Sequence, residues 1–360
     1  MKVTEVITHL LSVPLAEPVI TSIHRITEVA TVAVEVRTDQ DVHGSGYVFA
    51  PTMQQGVVLE AMINDLAVLV QGEDARFVAH IWARLWQHIN FMGHAGLTVQ
   101  AMSPLDTALW DIIGKVAGMP LYQLLGAYTD RLLLYHSGGL WLGMTLDELV
   151  RQAQTFVEQG FKAMKLRLGR PSMQEDVERV RAVRQAIGPD IQLLTDVNQG
   201  WAPNDAIRIG RRLEEFDLYW LEEPTTVDDG RGNARVAAAL DTPVAGGETV
   251  YTRYGIHTML QQQAADIVMP DLARMGGISE WRRAAALAAA YNIPVSNHIY
   301  TEVSMHLMAS CANGLITEYM PWFGALLTEP MQVRDGYAYL PERPGVGITF
   351  DRKALQTFRV

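Results

Sequence analysis

From about residue 130 onward the chain repeats one unit, a short apolar run ending near a polar residue and followed by a longer amphipathic stretch. That alternation is the pattern of parallel strands joined by crossover helices. Eight runs are present: LLLYHS (132–137), AMKLRL (163–168), IQLLTD (191–196), LYWLEE (218–223), PVAGGE (243–248), ADIVMPD (265–271), IPVSNH (293–298) and LITEYM (315–320). Helical spacing fills the intervals 145–159, 173–187, 203–215, 251–263 and 277–291, the last with an alanine-rich face suited to close packing. Eight βα units predict an α/β protein built on a (β/α)8 barrel of the TIM type rather than an open sheet.

The first third reads differently. Residues 2–10 and 28–37 alternate apolar and polar, DQDVHGSG contains a turn, and 56–71, 75–88 and 98–117 have helical apolar spacing. Strands followed by helices predict a separate α+β segment. A chain of 360 residues is longer than one hydrophobic core usually serves, so a barrel plus a smaller domain fits the length.

Charge and cysteine content narrow the function classes. A net charge of -11 argues against a nucleic-acid or anionic-membrane partner, since either selects for a basic face. It does not exclude an anionic substrate, because one bound Mg²⁺ and a few local cations invert the field inside a pocket. Cys311 is the only cysteine, which rules out an internal disulfide and predicts a reducing, cytoplasmic location. Two prolines and several polar residues interrupt the N-terminal stretch, so no signal-peptide core is expected there.

The polar residues that end the runs carry the functional signal. Asp196, Glu222, Glu248, Asp271, His298 and Glu318 each stand at or near the C-terminal end of a strand, the face on which βα barrels build their sites. A single acidic residue there could be a helix cap or a solvated turn. Recurrence on consecutive strands, which closure would bring around one axis, points to a site. Asp196, Glu222 and Glu248 converge from three successive strands without a basic residue at the same positions, and like charges so placed need a cation. All-oxygen ligation suits Mg²⁺ or Mn²⁺. Asp271 and His298 follow on the next two strands, where the carboxylate can bind one imidazole nitrogen and leave the other as an acid or base near neutral pH.

These features come with an ordered set of longer motifs: VPLAEPV, GYVFAPT, ALWDIIGKVAGMPLYQLLG, TDVNQGW, WLEEPT, PVAGGE, MPDLARMGGISEW, SNHIYTEVSMHL and LPERPGVGITF. The set covers nearly the whole chain and resembles the enolase superfamily, within it the mandelate racemase/muconate lactonizing enzyme family and its mandelate racemase subgroup. The resemblance implies an enolase-like modified barrel at 128–324, an α+β capping domain with an active-site lid at 1–127, and a segment 325–360 that returns to the cap. It implies Mg²⁺ on Asp196, Glu222 and Glu248, a general base formed by Asp271 and His298, and Glu318 assisting the enolate oxygen. Asn198 and Gln199 would support the metal or the substrate, and a homo-oligomer, an octamer, would be the assembly.

One position departs from that pattern. Where the racemase pattern has Lys-x-Lys at the end of the second strand, this chain has Lys165 and Arg167. Deprotonating an unperturbed lysine at pH 7 costs roughly 4.6 kcal/mol, against roughly 7–9 for arginine, so Arg167 reads as a fixed cation. Lys165 then reads as a second cation or a displaced base. Racemisation needs a base on each face of the substrate, whereas loss of water, or opening and closing of a ring, proceeds with one histidine. The lid residues Thr21, Ser22, His24 and Arg25 suit a hydroxylated or dicarboxylate substrate, although a mobile polar loop would look the same. His136, Ser137 and Trp141 follow the first strand as candidates for the pocket wall, with burial of an aromatic the other reading.

The expected function is therefore Mg²⁺-dependent removal of the proton next to a substrate carboxylate, with dehydration of a sugar acid leading. A racemase, epimerase or cycloisomerase of a hydroxy or sugar acid is the alternative, and a pseudoenzyme that only binds such an acid stands behind both.

Overall fold

The computed structural model describes residues 1–360. Three antiparallel strands, β1 (Val3–Ile20), β2 (Arg25–Thr38) and β3 (His43–Ala50), form the N-terminal sheet in that order. Three helices follow, α1 (Met53–Val70), α2 (Val78–His88) and α3 (Leu97–Ala117). The alternation in β2 predicts one covered face, yet Val29 to Val36 are buried on both. The reason is a double cover. Ala30, Val34 and Val36 meet α1 and α3, where Gly44 and Gly46 on β3 leave room for the backbone of α3 to touch the sheet. On the other face Tyr47 and Phe49 pack against Tyr300 and Phe323 of the barrel. By length and composition α1 is apolar enough to span a membrane, but Leu59, Ile63, Leu66 and Val70 are buried within the core, the ordinary use of such a helix.

After the short α4 (Leu121–Leu124), seven strands form a barrel-like parallel sheet: β4 (Arg131–His136), β5 (Ala163–Arg167), β6 (Gln192–Asp196), β7 (Leu218–Glu222), β8 (Val244–Gly246), β9 (Ile267–Val268) and β10 (Thr317–Tyr319). Helices α5 (Leu146–Glu158), α6 (Met173–Ile187), α7 (Pro203–Leu213), α8 (Gly230–Ala239), α9 (Thr252–Gln261), α10 (Ile278–Ala290) and α11 (Thr301–Met308) lie between them. The run 293–298 forms no regular strand. It joins its neighbours through isolated bridges, Val268 to Val295, Asp271 to His298 and Val295 to Gly314, while β10 pairs back onto β4.

Strand periodicity sorts the side chains. Leu166, Leu193 and Leu221 pack outward toward the helices, whereas Ala163, Leu194 and Trp220 form an inner apolar floor. Two residues further along the same inward face come Lys165, Asp196 and Glu222, and parallel register aligns Arg167 with Asp196 and Asp196 with Glu222. The charged mouth is thus the continuation of the apolar floor.

Beyond the barrel, β11 (Val333–Arg334) and β12 (Tyr337–Tyr339) form a hairpin on β4, and α12 (Arg352–Thr357) then crosses to the N-terminal sheet. There Arg352 pairs with Glu35, Phe358 accepts from the Ser12 amide, and Leu11 bridges to Arg359.

The N-terminal domain also caps a barrel helix. Asp106 on α3 is buried and accepts from the Ser279 amide at 2.8 Å and its hydroxyl at 2.7 Å, at the first turn of α10. Replacing this carboxylate leaves buried donors unmatched. Asp106→Ala is expected to lower unfolding stability by about 2 kcal/mol, measured by chemical denaturation; an unchanged midpoint would show that the junction carries no weight.

Candidate active site

The inward ends of the strands enclose a cavity of about 130 Å³ beneath the lid. Two larger hollows, about 620 and 800 Å³, lie at the C-terminal segment and beside the lid strand, and neither contains the acidic groups. Asp196, Glu222 and Glu248 are buried, and one oxygen from each lies within 4.8 Å of the others. Two of the three are held from behind. The Asn198 amide and side chain bond the two oxygens of Asp196 at 2.8 and 3.2 Å, and Trp220 Nε1 donates to Glu222 at 2.9 Å.

One lysine faces this group. Lys165 Nζ lies 2.8 Å from Glu222, 3.1 Å from Glu318 and 3.4 Å from Asp196. Burial alone would lower its pKa, but Glu222 and Glu318 outweigh that and push it up, so the amine stays an ammonium. Burial and the neighbouring carboxylates Asp196, Glu248 and Glu318 push Glu222 well above the usual carboxylate range despite Lys165. One ammonium does not balance this concentration of carboxylates. The donor set therefore fits a hard divalent cation, by its oxygen chemistry and by its surplus of negative charge.

Across the mouth, His298 Nδ1 lies 2.6 Å from Asp271 Oδ2, while its Nε2 faces Glu248 at 3.4 Å. Asp271 is held low: burial opposes this, but Arg274 and His298 prevail. His298 is raised to about 9, burial being outweighed by Glu248 and Asp271. Positive charge on the triad would offset the Glu248 contribution and bring the imidazole back toward neutrality. Glu318 accepts from the Ile299 amide at 2.6 Å and sits at about 2, since Lys165 and His298 overcome the effect of burial.

Arg167 is clamped in place. Its guanidinium stacks 4.6 Å over Trp141, donates to the carbonyl and hydroxyl of Ser137 at 3.3 and 3.1 Å, and approaches Asp196 at 3.4 Å. Its buried Nε and Nη1 make no hydrogen bond; Nε faces Asp196, and Nη1 is left for an anionic or hydroxyl group in the cavity that the residue lines.

Other residues fall in different places. His24 and Thr21 line the cavity with Val19 and Ile26. Arg25 does not. It is exposed, because period-two alternation along the lid hairpin turns it away from the side that carries His24 and Ile26. Ser22 points at the barrel rather than the cavity. Ser137 supports Arg167 from outside the cavity, and Gln199 bonds Glu223 and Thr249. His136 faces outward from β4, stacked 3.6 Å from Phe156 and pushed down to about 3 by burial and by Arg167. Trp141 lines the cavity.

Sequence reasoning missed Arg274. It lines the cavity, its amide donates to Asp271 at 2.8 Å, and its side chain lies 3.3 Å from the same carboxylate. The signal was a basic residue three positions after Asp271. Glu223 was missed as well, a carboxylate beside the triad pushed up by burial, Glu248 and Asp196.

The chain is similar to known proteins over almost its full length. The family described as mandelate racemase/muconate lactonizing enzyme, N-terminal domain, matches residues 3–126, and the enolase C-terminal domain-like family matches 148–354. An L-talarate/galactarate dehydratase of Salmonella typhimurium is 36% identical over 330 residues, covering 91% of this chain and 82% of the relative. A 3,6-anhydro-alpha-L-galactonate cycloisomerase of Streptomyces coelicolor is 34% identical over 351 residues, covering 97% of each. A crystal structure of the Salmonella typhimurium dehydratase, liganded with Mg and L-lyxarohydroxamate, superposes with a TM-score of 0.96 at 34% identity, covering 100% of this chain and 93% of that one. With both of its domains matched and its barrel carrying the site, the chain belongs to the mandelate racemase/muconate lactonizing enzyme family of the enolase superfamily.

Proposed function

We propose that the protein is a Mg²⁺-dependent acid-sugar dehydratase that removes the proton next to a substrate carboxylate with His298. The observation that carries this reading is a single imidazole–carboxylate pair facing two fixed cations, Lys165 and Arg167, around an all-oxygen triad. The dehydratase relatives, one of them solved with Mg, support it. Held by Asp196, Glu222 and Glu248, Mg²⁺, for which Mn²⁺ can substitute, supplies the positive field that stabilises negative charge developing on the carboxylate oxygens.

The protein's own groups perform the remaining tasks. Asp271, fixed by Arg274, holds Nδ1 of His298 so that Nε2 takes the α-proton, and the C–H electrons pass into the enediolate. Lys165 stands beside the developing oxyanion as a cation, and the ionised Glu318, bonded to the Ile299 amide, holds that ammonium in place at 3.1 Å. Collapse of the enediolate breaks the bond to the β-hydroxyl, which leaves as water with the proton carried by His298. The resulting enol tautomerises to a 2-keto acid. Arg167, which cannot serve as a base near neutrality, anchors a carboxylate or hydroxyl of the substrate.

A second reading shares the first step. The cycloisomerase relative matches end to end, and one base also suffices to open or close a ring. A panel of acid sugars and their lactone or anhydro forms, incubated with Mg²⁺ and followed by mass, separates the two. Dehydration loses one water and gives a 2-keto product, cycloisomerisation preserves mass, and no conversion of any member sinks both.

Arg167→Lys tests the anchor. It is expected to raise KM about tenfold with a smaller effect on kcat, since the point charge survives and the fork does not. A pH–rate profile whose basic limb moves with the residue at 167 would instead make this position a base.

A further inference from the structure

The lid tip is fastened to the barrel by one side chain. Ser22 Oγ lies 2.6 Å from the Val197 carbonyl and 3.0 Å from that of Asn198, the two residues that follow the ligand Asp196. Both carbonyls are presented by an unusual turn, with Asn198 at φ 46 and Gln199 at φ 65. Two glycines form the notch that admits Ser22. A Cβ on Gly169 or on Gly200 would lie 2.8 Å from the Ser22 Cβ, closer than such atoms approach. Further back the lid is held by the Leu142 amide on the Ile20 carbonyl at 2.9 Å and by Gln152 on the Glu17 carboxylate at 3.1 Å. Only Ser22 secures the tip, between Thr21 and the turn that carries His24 into the cavity wall.

We infer that Ser22 is a positioning residue: its hydroxyl latches the lid onto the Val197–Asn198 turn, in a notch kept open by Gly169 and Gly200, and so sets Thr21 and His24 over the substrate. The inference rests on the proposed function only in taking the cavity as the place where substrate binds. Its physical content is local. The same turn is tied to both oxygens of Asp196 through Asn198, so the lid closes onto the backbone that fixes a metal ligand. Closing therefore completes the cavity wall at the point where the triad begins, and it needs no contact between the lid and the acidic side chains.

Two variants separate the latch from general stability. Ser22→Ala removes the hydroxyl, and Gly200→Ala fills the notch at a position outside the left-handed region, where a methyl group meets chiefly the lid. Hydrogen exchange followed by mass spectrometry on the full chain is expected to show amides of 20–26 exchanging about tenfold faster in Ser22→Ala, from the loss of one hydrogen bond, and faster still in Gly200→Ala. Barrel amides should keep their wild-type rates, and Mg²⁺ affinity should stay within about twofold of wild type. On whichever acid sugar is turned over, Ser22→Ala should raise KM about tenfold and leave kcat within about twofold. Lid amides exchanging at the wild-type rate in both variants would overturn the latch, as would acceleration spread evenly over the chain. If no acid sugar is turned over, the reading of function fails while the exchange measurement still decides the latch.

Discussion

His298→Asn is expected to lower turnover of an acid sugar by at least about a thousandfold and to abolish exchange of its α-hydrogen in D₂O, with the fold and Mg²⁺ binding retained. The magnitude follows from what a positioned general base contributes. His24 lies on the lid wall of the cavity, and Lys165 is the group of suitable chemistry in contact with the triad. It is surrounded by Glu222, Glu318 and Asp196, which favour the ammonium and make a neutral amine costly. Asparagine keeps much of the imidazole's volume and its capacity to hydrogen-bond Asp271, so the loss reports on proton transfer rather than on packing. The wild-type enzyme should exchange deuterium on a single face, with retention, and leave the epimeric substrate untouched. Exchange from both epimers, or exchange that survives in His298→Asn, would make Lys165 a base on the opposite face and favour a racemase or epimerase.

Glu222→Gln is expected to weaken Mg²⁺ binding about a hundredfold or more and to remove activity with it. Glu222 is the middle member of the triad, fully buried and fixed by Trp220. The fold should survive. Lys165 loses its 2.8 Å partner but keeps Glu318 at 3.1 Å and Asp196 at 3.4 Å, and removing one of several crowded carboxylates relieves repulsion. Thermal denaturation with and without Mg²⁺ distinguishes these effects: the wild type should melt higher as Mg²⁺ is added, because the ion binds the folded state, and the variant should not respond. An unchanged Mg²⁺ titration by calorimetry would remove Glu222 from the ligand set.

Much of the site could be read in the chain because it is an extension of strand periodicity. Asp196 and Glu222 lie two positions beyond the inward-facing Leu194 and Trp220, so once the apolar runs are taken as staves of one barrel the carboxylates must meet. Nothing comparable orients the lid. Arg25 and His24 are adjacent and equally polar, and only the hairpin register decides that one reaches the cavity while the other faces water. Ser22 looked like a substrate contact, yet it faces carbonyl groups that become available through the left-handed pair Asn198 and Gln199, a backbone geometry that side-chain pattern does not reveal. Arg274 escaped notice since its importance lies in a turn that folds it back onto Asp271. The run 293–298 has the composition of a strand, but Pro294 removes an amide donor and the segment is held by single bridges. The alternation in β2 does not reveal that both faces are covered, because the second cover, the barrel, is more than 200 residues away in sequence.

The crossing of the C-terminal segment to the first sheet constrains the order in which the molecule can be completed. Leu11 and Ser12 lie on an outer strand, and the partner that covers this stretch is Phe358–Arg359, far downstream in the chain. Until those residues emerge from the ribosome, the nascent N-terminal sheet carries a strand edge able to recruit another chain. The strand edge is therefore protected only after residues 358 and 359 have been made, and a chain lacking them would keep Asp196, Glu222, Glu248 and His298 and carry an open edge.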